Sequence, residues 1–385
     1  MNHSPFRLAA LLAFLVSVAS AASVASLPAV AQEPLPAESG TLEEESRTRW
    51  YPALALGLEG QGWRDVKSPY DRLPARAEGQ VRAAVWGLSQ QSAGLAVRFV
   101  TSSPTLQARW TVTSSNLAMP HMPATGVSGL DLYVRQPDGK WRWLANGRPA
   151  QQTTTATLVS GLPAEPREYL LYLPLYNGVK SLEIGVAEGT ALAKAPPRPA
   201  ERRGAIVFWG TSITQGGCAS RPGMVHTSIL GRRLDRDVIN LGFSGNGKME
   251  PEVARLVAEL DAAVFVIDCL PNMDAAEVAE RTEPLVKILR EKQPRTPIVL
   301  VEDRDYADAY LVVGKRQRNE SSRAALRAAF ERLEKAGVVN LHYLPGAIQL
   351  GDDSEGTVDS SHPTDLGFVR MADAFEPLLK KVLPP

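Results

Sequence analysis

The chain has 385 residues, a length that favours two domains over one. Hydrophobic residues make up 44 % of it and charged residues 22 %, which is ordinary for a folded globular protein. Lysine plus arginine equals aspartate plus glutamate, at 42 each, so no net charge attracts the chain to nucleic acid or to an anionic membrane. This balance argues against a nucleic-acid partner and leaves small neutral molecules and polysaccharides open as substrates.

The first 31 residues have the pattern of an export signal. Arg7 gives a weakly positive start, an apolar stretch rich in alanine and leucine follows, and Ala29–Ala31 forms a small-x-small cleavage site before Gln32. A membrane anchor is the alternative, but the stretch is only moderately apolar. We therefore expect cleavage after about Ala31, a periplasmic or secreted protein, and no stable membrane anchoring afterwards.

The next region has the pattern of a β-domain. Residues 32–46 are polar and are predicted to be a flexible leader. From 47 to 188, short runs of alternating polarity are separated by turns rich in glycine, proline, asparagine and aspartate, and Asp138-Gly139 predicts a hairpin. Because no convincing helical period occurs, we predict a jelly-roll-like β-sandwich, followed by a proline-rich linker over 189–203.

The pattern changes after the linker. Over 204–385, short and continuously apolar runs alternate five times with segments of helical periodicity. Continuous apolar strands are typical of a parallel sheet that helices cover on both faces. The fold class predicted for the chain is therefore α/β, with a β-sandwich preceding a three-layer α/β/α domain. The predicted helices cover 224–234, 251–260, 275–292, 321–337 and 365–383.

Residues able to carry chemistry follow four of the five predicted strands. They are Ser212 after the first strand, Gly242 after the second, Asn272 after the third, and Asp359 and His362 after the last. The carboxyl ends of parallel strands meet at one edge of a sheet, where ligands of such folds bind. We therefore expect these five residues to lie together.

Their chemistry suits one reaction. A serine hydroxyl becomes a nucleophile when a base takes its proton, and histidine is suited to that task near neutral pH. Asp359 is placed to accept from the other ring nitrogen of His362 and so to select its tautomer. The Ser212 and Gly242 amides and the Asn272 side chain are candidate donors to an oxyanion.

Each of these residues also has a structural interpretation. Ser212 can cap a helix, Gly242 can serve a turn, and Asn272 can belong to a loop. Asp359 and His362 can cap the C-terminal helix. Taken by itself, Ser212 is better explained as a helix cap. The order of all five residues at successive strand ends favours the catalytic interpretation for the set.

Three further residues are candidates to line the pocket. Thr211 and Arg221 flank the serine in sequence, and for Arg221 a structural ion pair is an equal alternative. His121 lies in a proline-rich loop of the β-domain, where a structural role is the stronger interpretation. Cys218 and Cys269 form either a disulfide or two free thiols, since spacing alone does not decide. The sequence has no cluster with metal-ligand spacing and no phosphate-binding loop.

At these residues the C-terminal half resembles the SGNH (GDSL-like) hydrolase superfamily. Its four blocks are matched by Ser212 in "GTSITQGG", Gly242 in "NLGFSGNG", Asn272 in "DCLPNM", and Asp359 with His362 in "DSSHP". The resemblance implies a flavodoxin-like α/β/α fold, no cofactor, and hydrolysis of small acyl esters.

The match is closer to one branch of that superfamily. The first block departs from the literal G-D-S-L at Thr211 and Ile213, which leaves the nucleophile in place. Gly129–Tyr133, "GLDLY", resembles the G-x-D-L-Y motif of the β-rich N-terminal domain of this branch. Exported two-domain relatives of this kind include carbohydrate esterases that remove acetyl groups from plant polysaccharides.

The function predicted is that of an exported serine esterase acting on small acyl esters, acetyl esters of carbohydrate first. Ser212 is the predicted nucleophile, His362 the base and then the acid, and Asp359 the group that orients His362. A lipid-directed esterase, either a lysophospholipase or a thioesterase, is one alternative. A non-catalytic glycan-binding protein is the other.

Overall fold

Antiparallel strands form the N-terminal half. The computed structural model describes Met1 and residues 33–383, and the predicted signal peptide, apart from Met1, lies outside the described residues. Ten strands of the described residues belong to this half: β1 (Thr41–Glu43), β2 (Thr48–Pro52), β3 (Ala96–Thr101), β4 (Leu106–Val112), β5 (Leu130–Arg135), β6 (Trp141–Gly147), β7 (Thr153–Val159), β8 (Arg167–Tyr172), β9 (Val179–Ala187) and β10 (Leu192–Lys194).

The ten strands form two five-stranded sheets that share a core. One sheet has the order β1-β2-β9-β4-β7 and the other β10-β3-β8-β5-β6, with all neighbours antiparallel. Strand β4 alternates strictly between buried and half-buried residues, so one of its faces is directed into the core. Trp110 of β4 and Leu132 of β5, from different sheets, belong to the same buried cluster. The predicted β-sandwich is thereby confirmed.

Two short helices interrupt a region predicted to contain strands alone. They are α1 (Ala83–Ser89) and α2 (Ala124–Val127). Val85 of α1 is fully buried, and it packs in one cluster with Ile239 and Leu241 of the C-terminal half. Tertiary packing therefore decides the conformation of this segment, although its own sequence shows no helical period.

Two segments predicted to be irregular contribute strands at the ends of the sheets. The predicted leader, 32–46, contains β1, which pairs with β2, and Leu35 N–H donates to Leu192 O (2.8 Å). The predicted linker, 189–203, contains β10, which pairs with β3. Both strands have only three residues, so neither gives a recognisable alternation in the sequence.

The C-terminal half is an α/β unit. Its strands and helices, in chain order, are β11 (Ala205–Gly210), α3 (Ser212–Gln215), α4 (His226–Leu234), β12 (Val238–Gly242), α5 (Pro251–Val257), β13 (Ala262–Asp268), α6 (Ala275–Lys292), β14 (Ile298–Val301), α7 (Val313–Lys335), β15 (Leu341–Leu344) and α8 (Asp365–Val382). The sheet order is β12-β11-β13-β14-β15, and all neighbours are parallel. This is the flavodoxin-like order, as predicted.

Helices cover both faces of this sheet. Side chains of α5, α6 and α7 belong to one buried cluster, and side chains of α4 and α8 belong to another. The strand order reverses between β11 and β13, and in open α/β sheets the crevice at such a reversal binds ligands. None of the helices in the described residues is both long enough and apolar enough to cross a membrane.

Candidate active site

The chain after β11 forms a tight turn, which we call the nucleophile turn (210–217). A Cβ atom on Gly210 would lie 2.0 Å from Thr214 Oγ1, so only glycine fits at this close approach. Thr211 is the N-cap residue of α3, and its hydroxyl accepts a hydrogen bond from Ile213 N–H (3.3 Å). Ser212 follows as the first residue of α3, and 7 % of it is exposed. The cap and the glycine together present Ser212 at the carboxyl edge of the sheet.

Buried polar groups hold this turn from beneath. Asp268, the last residue of β13, accepts from Thr214 Oγ1 (3.2 Å) and from Arg304 Nη2 (2.6 Å). Burial raises the pKa of Asp268 to about 6, against the opposing effect of the Arg304 guanidinium. From the β-domain, Tyr176 donates its hydroxyl to Ser212 O (3.1 Å). Both halves of the chain therefore position the nucleophile.

Ser212, His362 and Asp359 form a continuous hydrogen-bonded chain. Ser212 Oγ lies 2.7 Å from His362 Nε2, and His362 Nδ1 lies 2.8 Å from Asp359 Oδ2. With Asp359 accepting from Nδ1–H, the Nε2 atom is left free to accept the serine proton. The structure therefore brings Ser212 together with His362, which lies 150 positions later in the sequence, and with the partner of that histidine, Asp359.

A short loop before α8, the histidine loop (356–364), holds the base and its partner. Asp359 Oδ1 accepts from the His362 and Ser361 amides, at 2.8 and 3.1 Å. Partial burial acts to raise the pKa of Asp359, but these amides and the His362 ring outweigh it, so its pKa lies below the usual value. Lys315 Nζ donates to Ser360 Oγ (2.7 Å), which ties the loop to α7.

Two of the three predicted oxyanion donors are free to act. As the first residue of α3, Ser212 has no intrahelical partner for its N–H, and no acceptor for it is seen among the described residues. Asn272 Oδ1 accepts from Gly247 N–H (3.2 Å), which orients the amide. Its Nδ2 donor has no acceptor in the described part of the chain.

Gly242 requires a correction. Its N–H donates to the side chain of Asn240 (Oδ1, 2.9 Å), and a donor engaged in this way is not available to an oxyanion. A Cβ atom on Gly242 would lie 2.1 Å from Gln215 N, so glycine is needed there for close packing against α3. Gly242 therefore has a structural role beneath the nucleophile turn.

Gly245, three residues later, is a candidate that the sequence analysis missed. It is exposed, has φ +69°, and its N–H has no acceptor among the described residues. The same loop touches the nucleophile turn, because a Cβ atom on Gly247 would lie 2.1 Å from Gly210 O. The segment "NLGFSGNG" contains three glycines, and its sequence alone does not show which amide is free.

The three residues expected to line the pocket have different roles in the structure. Thr211 is fully buried and acts as a helix cap. Arg221 forms an ion pair with Asp131 Oδ2 (2.8 Å), which supports its structural interpretation. His121 does reach the site: its ring centre lies 6.4 Å from that of His362. Among the described residues, no group of three or more histidine, cysteine, aspartate and glutamate side chains is placed to hold a metal ion.

The "GLDLY" motif joins the two halves of the chain. Asp131 is fully buried, and besides Arg221 it accepts from Gly223 N–H (2.8 Å) and from Trp143 Nε1–H (2.9 Å). Tyr133 accepts from Arg221 Nη1 (2.6 Å). The aspartate and the tyrosine of the motif therefore anchor the β-domain to the segment that follows the nucleophile turn.

The structure decides between a disulfide and free thiols for the two cysteines. Cys218 and Cys269 are both free and buried. Cys218 has φ +72°, and Cys269 Sγ donates to Trp209 O (3.5 Å). They are the two free thiols that the sequence analysis left open against a disulfide.

Comparison with known proteins now places the chain. The model of the GDSL-like lipase/acylhydrolase family matches residues 203–380, and the model of the GxDLY N-terminus of SGNH-hydrolase-type esterases matches residues 48–192. A solved structure described as a GDSL-like lipase from Bacteroides ovatus is 38 % identical, covers 87 % of this chain and 98 % of its own, and superposes with a TM-score of 0.82. The chain belongs to the GDSL-like lipase/acylhydrolase family.

More distant solved structures with this fold are described with different activities. The salicylyl-acyltransferase SsfX3 from a tetracycline biosynthetic pathway is 22 % identical, with a TM-score of 0.69 over 88 % of this chain and 99 % of its own. A family two carbohydrate esterase from Clostridium thermocellum, solved in complex with cellohexaose, is 16 % identical, with a TM-score of 0.54 over 75 % of this chain and 92 % of its own. At these identities the similarity shows the fold alone. No curated protein matches the sequence.

Proposed function

We propose that this protein is an exported serine esterase that hydrolyses small acyl esters, acetyl esters first, on carbohydrate. One observation carries the proposal: the Ser212–His362–Asp359 chain, with Ser212 Oγ 2.7 Å from His362 Nε2. Membership of the family supports ester hydrolysis. The identity of the acyl group, the nature of the alcohol and the export of the protein are what we propose in addition. Export to the periplasm or beyond rests on the N-terminal sequence pattern.

The proposed reaction follows from the geometry. Ser212 Oγ attacks the ester carbonyl as its proton passes to His362 Nε2, and the new oxyanion accepts from the Ser212 N–H, the Gly245 N–H and the Asn272 side-chain amide. His362 then donates the proton to the departing alcohol oxygen, which leaves an acyl-serine. Water, deprotonated by His362, attacks this ester, and Ser212 recovers its proton as the acid departs.

Two features support a small acyl group on a polar alcohol. Ser212 is only 7 % exposed, and Thr211, Thr214 and Gln215 beside it are fully buried, so the nucleophile lies in a tightly packed turn. The β-domain presents a polar side chain, His121, next to the catalytic histidine. The carbohydrate esterases of the same fold make acetylated sugars the first substrates to test.

One observation favours the lipid-directed alternative. The residues that lead into α7 are apolar and exposed, and Tyr310 and Leu311 have about 70 % of their surface in solvent (71 % and 72 %). This segment is tied to the histidine loop, because Ala307 N–H donates to Ser360 O (2.9 Å). A cleft of about 420 Å³ lies beside it, lined in part by Tyr306, Ala309, Tyr310 and Leu350. A long acyl chain would find apolar surface there.

Hydrolysis of p-nitrophenyl acetate against p-nitrophenyl octanoate tests the proposal, with wild type and Ser212→Ala in parallel. We expect a higher kcat/KM for the acetate and a loss of roughly 10⁴-fold to 10⁶-fold in kcat in the variant, without a change in melting temperature. A preference for octanoate would support the lipid-directed alternative. Hydrolysis by Ser212→Ala at the wild-type rate would refute the mechanism, and an inactive wild type that binds acetylated xylan would support the glycan-binding alternative.

A further inference from the structure

A loop of the β-domain is built rigidly against the catalytic face. Met119 and Met122 exchange two backbone hydrogen bonds, at 2.9 and 3.1 Å, so that Pro120 and His121 form the tip of a tight turn. Met122 is buried, at 2 % exposure, in the cluster that also contains Ile213 of the nucleophile turn. The turn therefore has a fixed position with respect to Ser212.

The same segment contacts the catalytic half directly at two residues and through Tyr176 at a third. Thr125 Oγ1 donates to Ser220 O (2.6 Å), and a Cβ atom on Gly126 would lie 2.3 Å from Ala219 O. Tyr176 N–H donates to Val127 O (3.1 Å), and the hydroxyl of this tyrosine donates to Ser212 O. Such support holds a side chain at the tip of the turn close to one position, as substrate recognition requires.

Pro120 and His121 are both exposed at that tip, and of the two only His121 has a polar side chain. Its ring centre lies 6.4 Å from the ring centre of His362, with 38° between the two planes. Because Nδ1 of His362 is engaged with Asp359, the proton for the leaving alcohol comes from Nε2. The alcohol oxygen must therefore lie within hydrogen-bond distance of His362, and the atoms attached to that oxygen come within reach of His121.

We propose that His121 is a specificity-determining residue for a polyol or sugar substrate. It hydrogen-bonds the hydroxyl on the carbon adjacent to the one that bears the ester oxygen. An imidazole has one donor and one acceptor nitrogen, which matches a hydroxyl that both donates and accepts. A site built to bind a hydroxyl discriminates against the analogue that lacks it, because its polar group is then left without a partner. The proposal rests on the proposed function, since it concerns the alcohol side of the same ester.

A matched pair of acetates tests it. 2-Hydroxyethyl acetate and propyl acetate have the same chain length and differ in whether a hydroxyl or a methyl group ends the alcohol. We expect wild type to prefer 2-hydroxyethyl acetate, and the ratio of the two kcat/KM values to fall about tenfold in His121→Phe, which keeps a ring and removes its polar atoms. In His121→Gln, which restores a donor and an acceptor, we expect the ratio to recover in part.

Two controls separate recognition from structure. Ser115→Ala changes an exposed residue of the same connection, and we expect it to keep the wild-type ratio. The melting temperatures of the His121 variants should match wild type, because the side chain is exposed. A ratio that is unchanged in His121→Phe would overturn the proposal while leaving the esterase intact. Wild type that hydrolyses neither acetate, nor p-nitrophenyl acetate, would instead overturn the proposed function.

Discussion

The two sides of the proposed catalytic serine–histidine pair are built in different ways. In the nucleophile turn, Thr211, Thr214 and Gln215 are fully buried, and the turn rests on a buried ion pair and on the core of the sheet. In the histidine loop, 27 % of the His362 side chain and 46 % of the Asp359 side chain are exposed. The nucleophile therefore owes its position to the folded core, and the base owes its position largely to hydrogen bonds of its own loop, which Lys315 and Ala307 tie to the rest of the domain.

Because of this difference, we expect substitutions on the two sides of the site to affect different properties, stability on one side and activity on the other. Removing one partner of a buried ion pair destabilises the fold, because the other charge then stays buried without compensation. A half-exposed carboxylate contributes little to folding, because solvent screens it, but it can still select the tautomer of a neighbouring imidazole. Substitutions beneath the nucleophile turn should lower stability, and substitutions in the histidine loop should lower activity. Three predictions test this contrast.

The largest effect is expected from Asp359→Asn. The side-chain NH₂ of asparagine can donate to His362 Nδ1, which would place the ring proton on Nε2, where it cannot accept from Ser212. We expect kcat to fall about 10³-fold to 10⁴-fold, equivalent to roughly 4–5 kcal/mol in the activation barrier, as for other serine hydrolases with this change. Steady-state kinetics measures the loss, and calorimetry should show a melting temperature close to that of wild type.

A matched control is available in the same segment. Asp352 is exposed and lies seven positions before Asp359, so Asp352→Asn removes the same charge without touching His362. We expect it to keep wild-type kcat. If Asp359→Asn retained more than a tenth of the activity, the carboxylate would not be what orients His362.

Asp268→Asn should have the next largest effect, and on stability. The change removes the carboxylate that accepts from the buried Arg304 guanidinium, 1 % exposed, while the new side chain can still accept from Thr214. We expect a loss of at most about 3 kcal/mol in the free energy of unfolding at pH 7, the lower end of the usual cost of breaking a buried pair, because burial already disfavours the charged carboxylate. Urea denaturation measures it, and the exposed Asp261→Asn serves as the control. A stable variant with severely reduced kcat would place Asp268 in the catalytic step and remove the contrast.

The sequence predicted what depends on local pattern and strand order. Ser212, Asn272, Asp359 and His362 were found because each follows a strand whose continuous apolar residues identify it. Helical periodicity predicted α6 at the bounds 275–292 that the structure has, and in the structure a capping box of Asp274 and Glu277 fixes its first turn. Local chemistry and tertiary structure agree at these positions.

What was missed depends on distant partners. The first turns of α7, from Val313, are largely polar or exposed, so helical periodicity detects only the later part. Strands β1 and β10 exist because other strands pair with them. Gly242 and Gly245 differ in the hydrogen-bond partner of one amide, and that partner, Asn240 Oδ1, is a property of the fold. The position of His121 depends on how the β-domain packs.

The smallest effect expected is in the pH dependence of stability, where Asp359 and Asp268 should contribute with opposite signs. Hydrogen bonds hold the pKa of Asp359 below its usual value, so its stabilising contribution is present above about pH 3.9, the value for an unfolded chain, and is lost as pH falls through the lower folded pKa. For a carboxylate this exposed, we expect under about 1 kcal/mol. Burial raises the pKa of Asp268 to about 6, so its contribution is complete below about pH 3.9 and declines as pH rises towards 6.

Urea unfolding of wild type, Asp359→Asn and Asp268→Asn between pH 3 and pH 7 distinguishes the two aspartates. The stability deficit of Asp359→Asn should open as pH rises through the acidic end of this range, because only then does wild type gain from the charged carboxylate. The deficit of Asp268→Asn should narrow between pH 4 and pH 6, because wild type then loses the advantage of a protonated, buried group. Parallel slopes for the two variants would mean that burial does not distinguish these carboxylates, and the contrast between the two sides of the site would then rest on geometry alone.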